Sequence, residues 1–384
     1  MRDSREIIDL FESALRRGKR MVIATVVDVT GSAYRRPGAH LLLVDDGSKA
    51  GSISAGCLEN DILARGDEVF SLSRALLLEY ESDEFFGLNY GCDGTIHVLI
   101  QPVTGVETSY PAAFKRAQST GRTFALATVF SSDDEREIGA QILLDENDMF
   151  TSSASASVAA AVANAFKFVM SSGASRSLQL EDGNAKVFFE VIKPTPRLAI
   201  FGAGEDAVSL ISCARSIGMD SLLIDSRLSY LERFRGTEMV HHYDETFEMG
   251  AIFDAPDRTA IVIMSHNFEL DKRFLATALE SNCAYIGVMG SHKRTTKILS
   301  EIGSPESAIR IRFPIGLDLG ADSPEEIALS ICSEILAFFR NGSGKPLSAS
   351  EGPIHHRVGG KGEEVARSHA NSKTSRISTC RYST

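Results

Sequence analysis

Residues 196–227 read PRLAIFGAGEDAVSLISCARSIGMDSLLIDSR. The order is strand, glycine turn, helix, strand. Leu198–Phe201 is a short apolar run, and Gly202-Ala203-Gly204 follows it at once. Val208, Leu210, Ile211 and Ala214 recur at helical spacing until Gly218. Ser221–Ile224 is the next apolar run and closes on Asp225. This is most of a dinucleotide-binding fingerprint in its required context, with Ala207 in the place of the third glycine. Gly202 and Gly204 let backbone N–H groups approach a phosphate, and the helix N-terminus adds positive potential. Asp225 suits a ribose hydroxyl. A Rossmann-like scaffold whose glycines serve only the turn carries the same pattern, so the stretch decides the fold before it decides a ligand.

Outward from this stretch the alternation continues. Ala260–Met264 is an apolar strand that ends in Ser265-His266-Asn267, and Tyr285–Met289 runs into GSHKRT at 290–295. Ser323-Pro324-Glu325-Glu326 is a helix start, with a capping serine, proline at the first position and glutamate at the third. Strands alternating with helices predict an α/β fold with a parallel sheet covered on both faces. Ligands of such sheets sit outside the carboxyl ends of the strands. Four ends converge there: Gly202–Gly204, Asp225–Arg227, Ser265–Asn267 and Gly290–Arg294. His266 is placed to hydrogen-bond a ligand, and Ser291, Lys293 and Arg294 suit an anionic group at a helix start. The plainer readings are a loop histidine in solvent and a solvated helix face. Glu205 stands out, because a carboxylate beside a phosphate turn repels the phosphate.

Upstream, the chain reads as a pseudo-duplicated α/β region over residues 1–195, in halves of about 1–103 and 104–195. ALATVF at 125–130 parallels VIATVV at 22–27, GAQILLDEND at 139–148 parallels GAHLLLVDDG at 38–47, and VFFEVIKP at 187–194 parallels HVLIQP at 97–102. The second copy keeps the strands and lacks Arg35, Arg36, Cys57 and Cys92, so any chemistry in this region belongs to the first copy. Cys57 lies between a Gly/Ser loop and a helix start, where a thiolate is favoured and suits a soft metal, a sulfur donor or a nucleophile. Its plain reading is a small buried residue. Cys92 sits in a tight glycine loop. The Rossmann-like region follows over 196–340.

The 384 residues carry a net charge of −11, which argues against a nucleic-acid partner. No apolar run reaches the length of a membrane span, and the amphipathic N-terminus resembles neither a signal nor a transit peptide. Six scattered cysteines without a CxxC indicate neither a zinc site nor a disulfide framework and fit a reducing cytoplasm. Residues 341–384 are rich in Gly, Ser, Lys and Arg and read as a disordered tail. The pseudo-duplicated region offers sheet edges and helix faces for a homodimer.

Three ordered blocks resemble the XdhC/CoxI proteins, maturation factors of xanthine dehydrogenase and related molybdenum hydroxylases. They are ATVVDVTGSAYRRPGAHLLLVDDG with GSISAGCLEND, then GLNYGCDGTIHVLIQP, then FGAGEDA, VIMSHNFELD, YIGVMGSHKRT and PIGLDLGADSPEEIALSICSEI. The resemblance covers roughly residues 5 to 340. It implies a maturation factor rather than a metabolic enzyme. Such a protein binds the molybdenum cofactor as cargo, as molybdopterin or its cytosine dinucleotide form. It holds the cofactor while a cysteine desulfurase supplies the sulfido ligand, and hands it to the apo hydroxylase. Under that reading Gly202, Gly204, Asp225, His266, Ser291, Lys293 and Arg294 meet the phosphate or nucleotide. Arg35, Arg36, Cys57 and Cys92 are candidates for the pterin or molybdenum end, with Cys57 as a metal ligand. Two positions depart from the family pattern: Glu205 where histidine is usual, and Tyr90 where the loop's first cysteine is usual. The competing readings are an NAD(P)-dependent oxidoreductase, from the glycine turn and Asp225, and a non-catalytic interaction protein with a vestigial pocket.

Overall fold

The computed structural model describes residues 2–31, 36–54, 58–81, 94–145, 147, 149–152, 154–180, 184–234, 236, 239–244, 247 and 256–349. The N-terminal region holds α1 (Arg2–Arg16), β1 (Met21–Thr30), β2 (His40–Val44), β3 (Lys49–Gly51), α2 (Glu59–Leu72), β4 (Leu76–Glu81) and β5 (Thr95–Pro102). The plan then repeats as α3 (Tyr110–Thr120), β6 (Phe124–Ser132), β7 (Gln141–Leu144), β8 (Met149–Ser152), α4 (Ala156–Ser172), β9 (Arg176–Leu180) and β10 (Ala185–Ile192). The two sheets have the same order, β3-β2-β1-β5-β4 and β8-β7-β6-β10-β9, and every pairing in them is antiparallel. The duplication read from sequence is therefore a duplication of topology.

The apolar run of β1 is unbroken because both of its faces are covered. Val22, Ala24 and Val26 pack with Ile62 and Val69 of α2 on one side. Ile23 and Val27 turn the other way, toward Leu126 and Phe188 of the second sheet. The two sheets thus lie face to face, and α1 and α3 share their core through Phe11, Ala14, Phe114 and Ala117.

The junction carries a buried polar group. His40 stacks on Tyr110 with ring centroids 3.7 Å apart. Its Nε2 lies 3.0 Å from both oxygens of Glu190, and its Nδ1 lies 3.0 Å from Thr25 Oγ1. Gln141 takes the place of His40 in the second copy, where its amide reaches Thr128 Oγ1 at 3.5 Å. Gln101 takes the place of Glu190 and donates to the Gly139 carbonyl at 3.3 Å.

The C-terminal region holds β11 (Arg197–Phe201), α5 (Glu205–Ser216), β12 (Asp220–Asp225), α6 (Leu228–Leu231), β13 (Met239–His242), β14 (Thr259–Ile263), α7 (Phe268–Glu280), β15 (Tyr285–Val288), α8 (His292–Ile302), β16 (Ile311–Arg312) and α9 (Pro324–Arg340). Its six strands pair in parallel in the order β13-β12-β11-β14-β15-β16. Alternate residues of β11 fill two separate cores. Leu198 and Ile200 pack under α5 and α9, while Ala199 and Phe201 pack under α7 and α8. This is the parallel sheet with two covered faces expected from the alternation. β16 is too short to be read from the sequence. Cys283 and Cys332 are buried and Cys213 half-buried, all as packing residues. Burial, followed by the neighbouring Cys213, pushes the Cys332 thiol up.

The Pro-Thr-Pro junction is pinned rather than free. Thr195 is buried, and its N–H and Oγ1 both donate to Gln118 Oε1, at 3.1 and 2.7 Å. Arg258 donates to the carbonyls of Thr195 at 3.1 Å and Gln118 at 3.2 Å. Arg5 of α1 also pairs with Asp220 of β12. Among the described residues no helix is long and apolar enough to cross a membrane. The tail expected over 341–384 lies outside the described residues beyond 349.

Candidate functional site

The site is built at the carboxyl end of the parallel sheet. Gly202 ends β11 with φ +119°, and a Cβ there would stand 2.6 Å from the backbone nitrogen of Ser265. Only glycine fits, because β11 and β14 press together at this point. Gly204 is different. It caps α5 with φ −68°, and the nearest atom to a Cβ would be His266 Cδ2, at 4.0 Å. Packing does not require glycine here, and its absent side chain leaves backbone open beside the first turn of α5.

Asp225 is fully buried at the end of β12. Its Oδ2 accepts from Ala203 N at 2.7 Å and from Arg227 Nη2 at 2.7 Å. Its Oδ1 accepts from Arg227 N at 2.8 Å and Arg227 Nε at 2.9 Å. Burial alone would raise its pKa, but the Arg227 guanidinium and the two backbone N–H groups outweigh burial and hold the carboxyl below its ordinary value. Arg227 in turn lies over the Tyr230 ring, 3.8 Å from its centroid. Asp225 thus clamps the glycine turn to β12, and both of its oxygens are engaged.

The third and fourth strand ends are cross-linked. Asp271 of α7 is fully buried, and its Oδ1 accepts from Ser265 N at 3.0 Å and Ser265 Oγ at 2.5 Å. Its Oδ2 lies 2.7 Å from Arg294 Nη1 of α8. Arg294 Nη2 is buried without a hydrogen-bond partner among the described residues, so it keeps a donor to offer. His266 adopts φ +59°, rare for a side chain other than glycine, and its Nε2 lies 2.8 Å from Asp206 Oδ2 in the first turn of α5. Ser291 caps α8 by accepting from Arg294 N at 3.3 Å. The helix begins at His292, so this cap puts His292, Lys293 and Arg294 in its first turn. Lys293 is exposed and makes no ion pair among the described residues.

Gly202, Gly204, Asp225, His266, Ser291, Lys293 and Arg294 are therefore brought to one edge. Arg36 is not. It is exposed, and partial desolvation, then the charge of Arg340, lowers its pKa. Arg340 ends α9 two residues after Phe338, whose ring lies 5.3 Å from that of Tyr285, the first residue of β15. Arg36 thus sits toward the amino end of the sheet, opposite the glycine turn. Arg35, Cys57 and Cys92 lie outside the described residues. Among those described, no three His, Cys, Asp or Glu side chains gather to hold a metal ion.

Three residues at this edge escaped the sequence reading. Tyr230 and Arg233 lie in the short α6 and the turn after it, a stretch that reads as helical over Leu228–Phe234 but whose spacing singles out neither side chain. Arg233 Nη1 pairs with Glu205 Oε1 at 2.5 Å, and its Nη2 donates to the Ala203 carbonyl at 2.8 Å. Asp271 was hidden in an ordinary helix start. Only its distance from Ser265 gives it a role.

Family comparison agrees with this layout. The XdhC Rossmann domain matches residues 198–335, and the XdhC and CoxI family matches residues 14–81. The chain belongs to the XdhC and CoxI family. A Bacillus subtilis protein named as a probable xanthine dehydrogenase subunit is 28% identical over 334 residues, covering 85% of this chain and 96% of that one. The molybdenum cofactor insertion chaperone PaoD of Escherichia coli is 23% identical over 339 residues, covering 87% and 88%. A solved structure from Bacillus halodurans, described as a xanthine dehydrogenase, superposes with a TM-score of 0.68 at 26% identity and covers 89% of this chain and 97% of that one. The matched XdhC Rossmann segment contains all seven residues gathered at the sheet edge.

Proposed function

We propose that this XdhC/CoxI protein is a molybdenum cofactor chaperone. It binds the cofactor by its phosphate-bearing end, supports its sulfuration by a cysteine desulfurase, and inserts it into a xanthine dehydrogenase-type hydroxylase. The names of the Bacillus subtilis and Escherichia coli relatives support the accessory and insertion roles. The observation that carries the binding role is the open backbone at Gly204. This glycine is not required by packing and stands at a helix start. At the same end of the sheet, among the described residues, exposed Lys293 makes no ion pair and buried Arg294 Nη2 has no hydrogen-bond partner. Such a cradle fits a phosphate. Under this reading Gly202 shapes the turn, Gly204, Lys293 and Arg294 meet the phosphate, and His266 and Ser291 border it. Arg35, Cys57 and Cys92 are assigned to the pterin and molybdenum end, and Arg36, which sits toward the opposite end of the sheet, is left out of it. A homodimer and a desulfurase complex belong to the same proposal and are tested by size exclusion and co-purification.

The oxidoreductase reading places Asp225 on a ribose. Both Asp225 oxygens are already held by Ala203 and Arg227, which weakens it. The deciding experiment purifies the full chain from a host that makes the cofactor and measures molybdenum and oxidised-pterin fluorescence. Both are expected in near-stoichiometric amount. Bound NAD without molybdenum or pterin would sink the chaperone reading.

A further inference from the structure

Four acid–base pairs ring the strand ends, and they are not alike. Asp225–Arg227 and Asp271–Arg294 have fully buried carboxylates and belong to the scaffold. Asp206–His266 spans the mouth on one side. The fourth pair, Glu205–Arg233, has a carboxylate that is 85% exposed. An exposed pair of this kind holds weakly, so Glu205 is free to leave.

Arg233 is not. Its Nη2 is fixed to the Ala203 carbonyl within the glycine turn. Its guanidinium lies 5.2 Å from the Phe234 ring and 5.9 Å from that of Tyr230. The flanking Leu231 and Phe234 are buried and anchor the segment. With Glu205 swung into water, the guanidinium stays at the turn with one edge vacated. A planar guanidinium pairs with a phosphate through two parallel hydrogen bonds, and more strongly than with an exposed carboxylate.

We propose that Arg233 reads the anion at the glycine turn and that Glu205 is an internal competitor, displaced from Arg233 when a phosphate or pyrophosphate group binds. This rests on the reading of the turn as a phosphate site. It accounts for the carboxylate that stands out beside the turn in the sequence. Glu205 neutralises Arg233 while the site is empty. Once displaced, it remains next to the turn and opposes the bound anion, which favours release of a cargo that must be passed on.

The test is isothermal titration of the full-length protein with inorganic pyrophosphate at fixed ionic strength. Glu205→Gln should bind about threefold to fivefold tighter than wild type, the scale of one exposed ion pair. Arg233→Gln should bind at least about tenfold more weakly, and Arg233→Lys should fall between, since it keeps the charge and loses the fork. In the Arg233→Gln background, Glu205→Gln should bring no gain. Asp134→Asn makes the same charge change on the remote second copy and should behave as wild type. Measurable but equal binding by wild type and Glu205→Gln overturns the proposal and leaves the phosphate reading standing. So does a gain that persists without Arg233. Absence of pyrophosphate binding in both wild type and Glu205→Gln overturns the phosphate reading and the proposal together. Molybdenum and pterin content reads the chaperone function separately.

Discussion

Gly202 and Gly204 are two residues apart and answer to different forces. A side chain at Gly202 meets the Ser265 backbone in a conformation that L-residues avoid. Gly202→Ala should therefore lose about 3 kcal/mol or more of stability, seen as a lower urea midpoint. Gly204→Ala has room and ordinary dihedral angles. It should leave the melting temperature nearly unchanged while lowering cofactor content, which separates a binding glycine from a folding one. Asp225 carries the linkage prediction. Its folded pKa is depressed from 3.8, so the stability it contributes is complete above the unfolded value and is lost as pH falls through the folded one. Asp225→Asn should cost about 3 kcal/mol, because it strips a buried partner from Arg227. The difference from wild type should be constant above about pH 5 and narrow below about pH 4.

At the scale of elements, α9 shows how a local signal and a tertiary contact reinforce each other. Ser323 accepts from Glu326 N while the Glu326 carboxylate accepts from Ser323 N, with Pro324 between them. That capping box was legible in four residues. What it supports was not: α9 lays Ala328, Ile331 and Ile335 against Leu210, Ile211 and Ala214 of α5, the helix that leads out of the glycine turn. Ser323→Ala should cost about 1 kcal/mol in urea unfolding, and Ser323→Asp should restore most of it. The opposite case is the segment from Leu228 to Phe234. Its helical character is readable from the sequence, but nothing in its spacing says that it delivers Tyr230 and Arg233 to the site.

At the scale of the molecule, the N-terminal region works as one body because the two copies share a core and a buried polar group. His40 from the first copy meets Glu190 from the second. Removing one partner leaves the other buried without its bond, which is costlier than replacing both. His40→Ala should cost about 2 kcal/mol or more in urea unfolding. Glu190→Gln with His40→Gln, which copies the Gln101 and Gln141 solution at the related position, should be milder than either single change. A double-mutant cycle measures the coupling. A cycle with no coupling would show that the two copies are joined by apolar packing alone.

The sequence by itself determined the fold class, because turn glycines, strand runs and caps are local signals that chain chemistry imposes at short range. It also determined the duplication, since copied strands keep their apolar spacing. It nominated Gly202, Gly204, Asp225, His266, Ser291, Lys293 and Arg294, because the crossover topology of a parallel sheet sends all its strand ends to one edge. Only the tertiary structure decided how the charges there are used. Asp225 clamps the turn through Arg227, Asp271 joins two loops through Arg294, and Glu205 is answered by Arg233. Arg36 falls toward the other edge, beside Arg340. Ion pairs form between residues far apart in the chain, where spacing carries no information, and burial alone separates a fixed pair from one that a ligand can open.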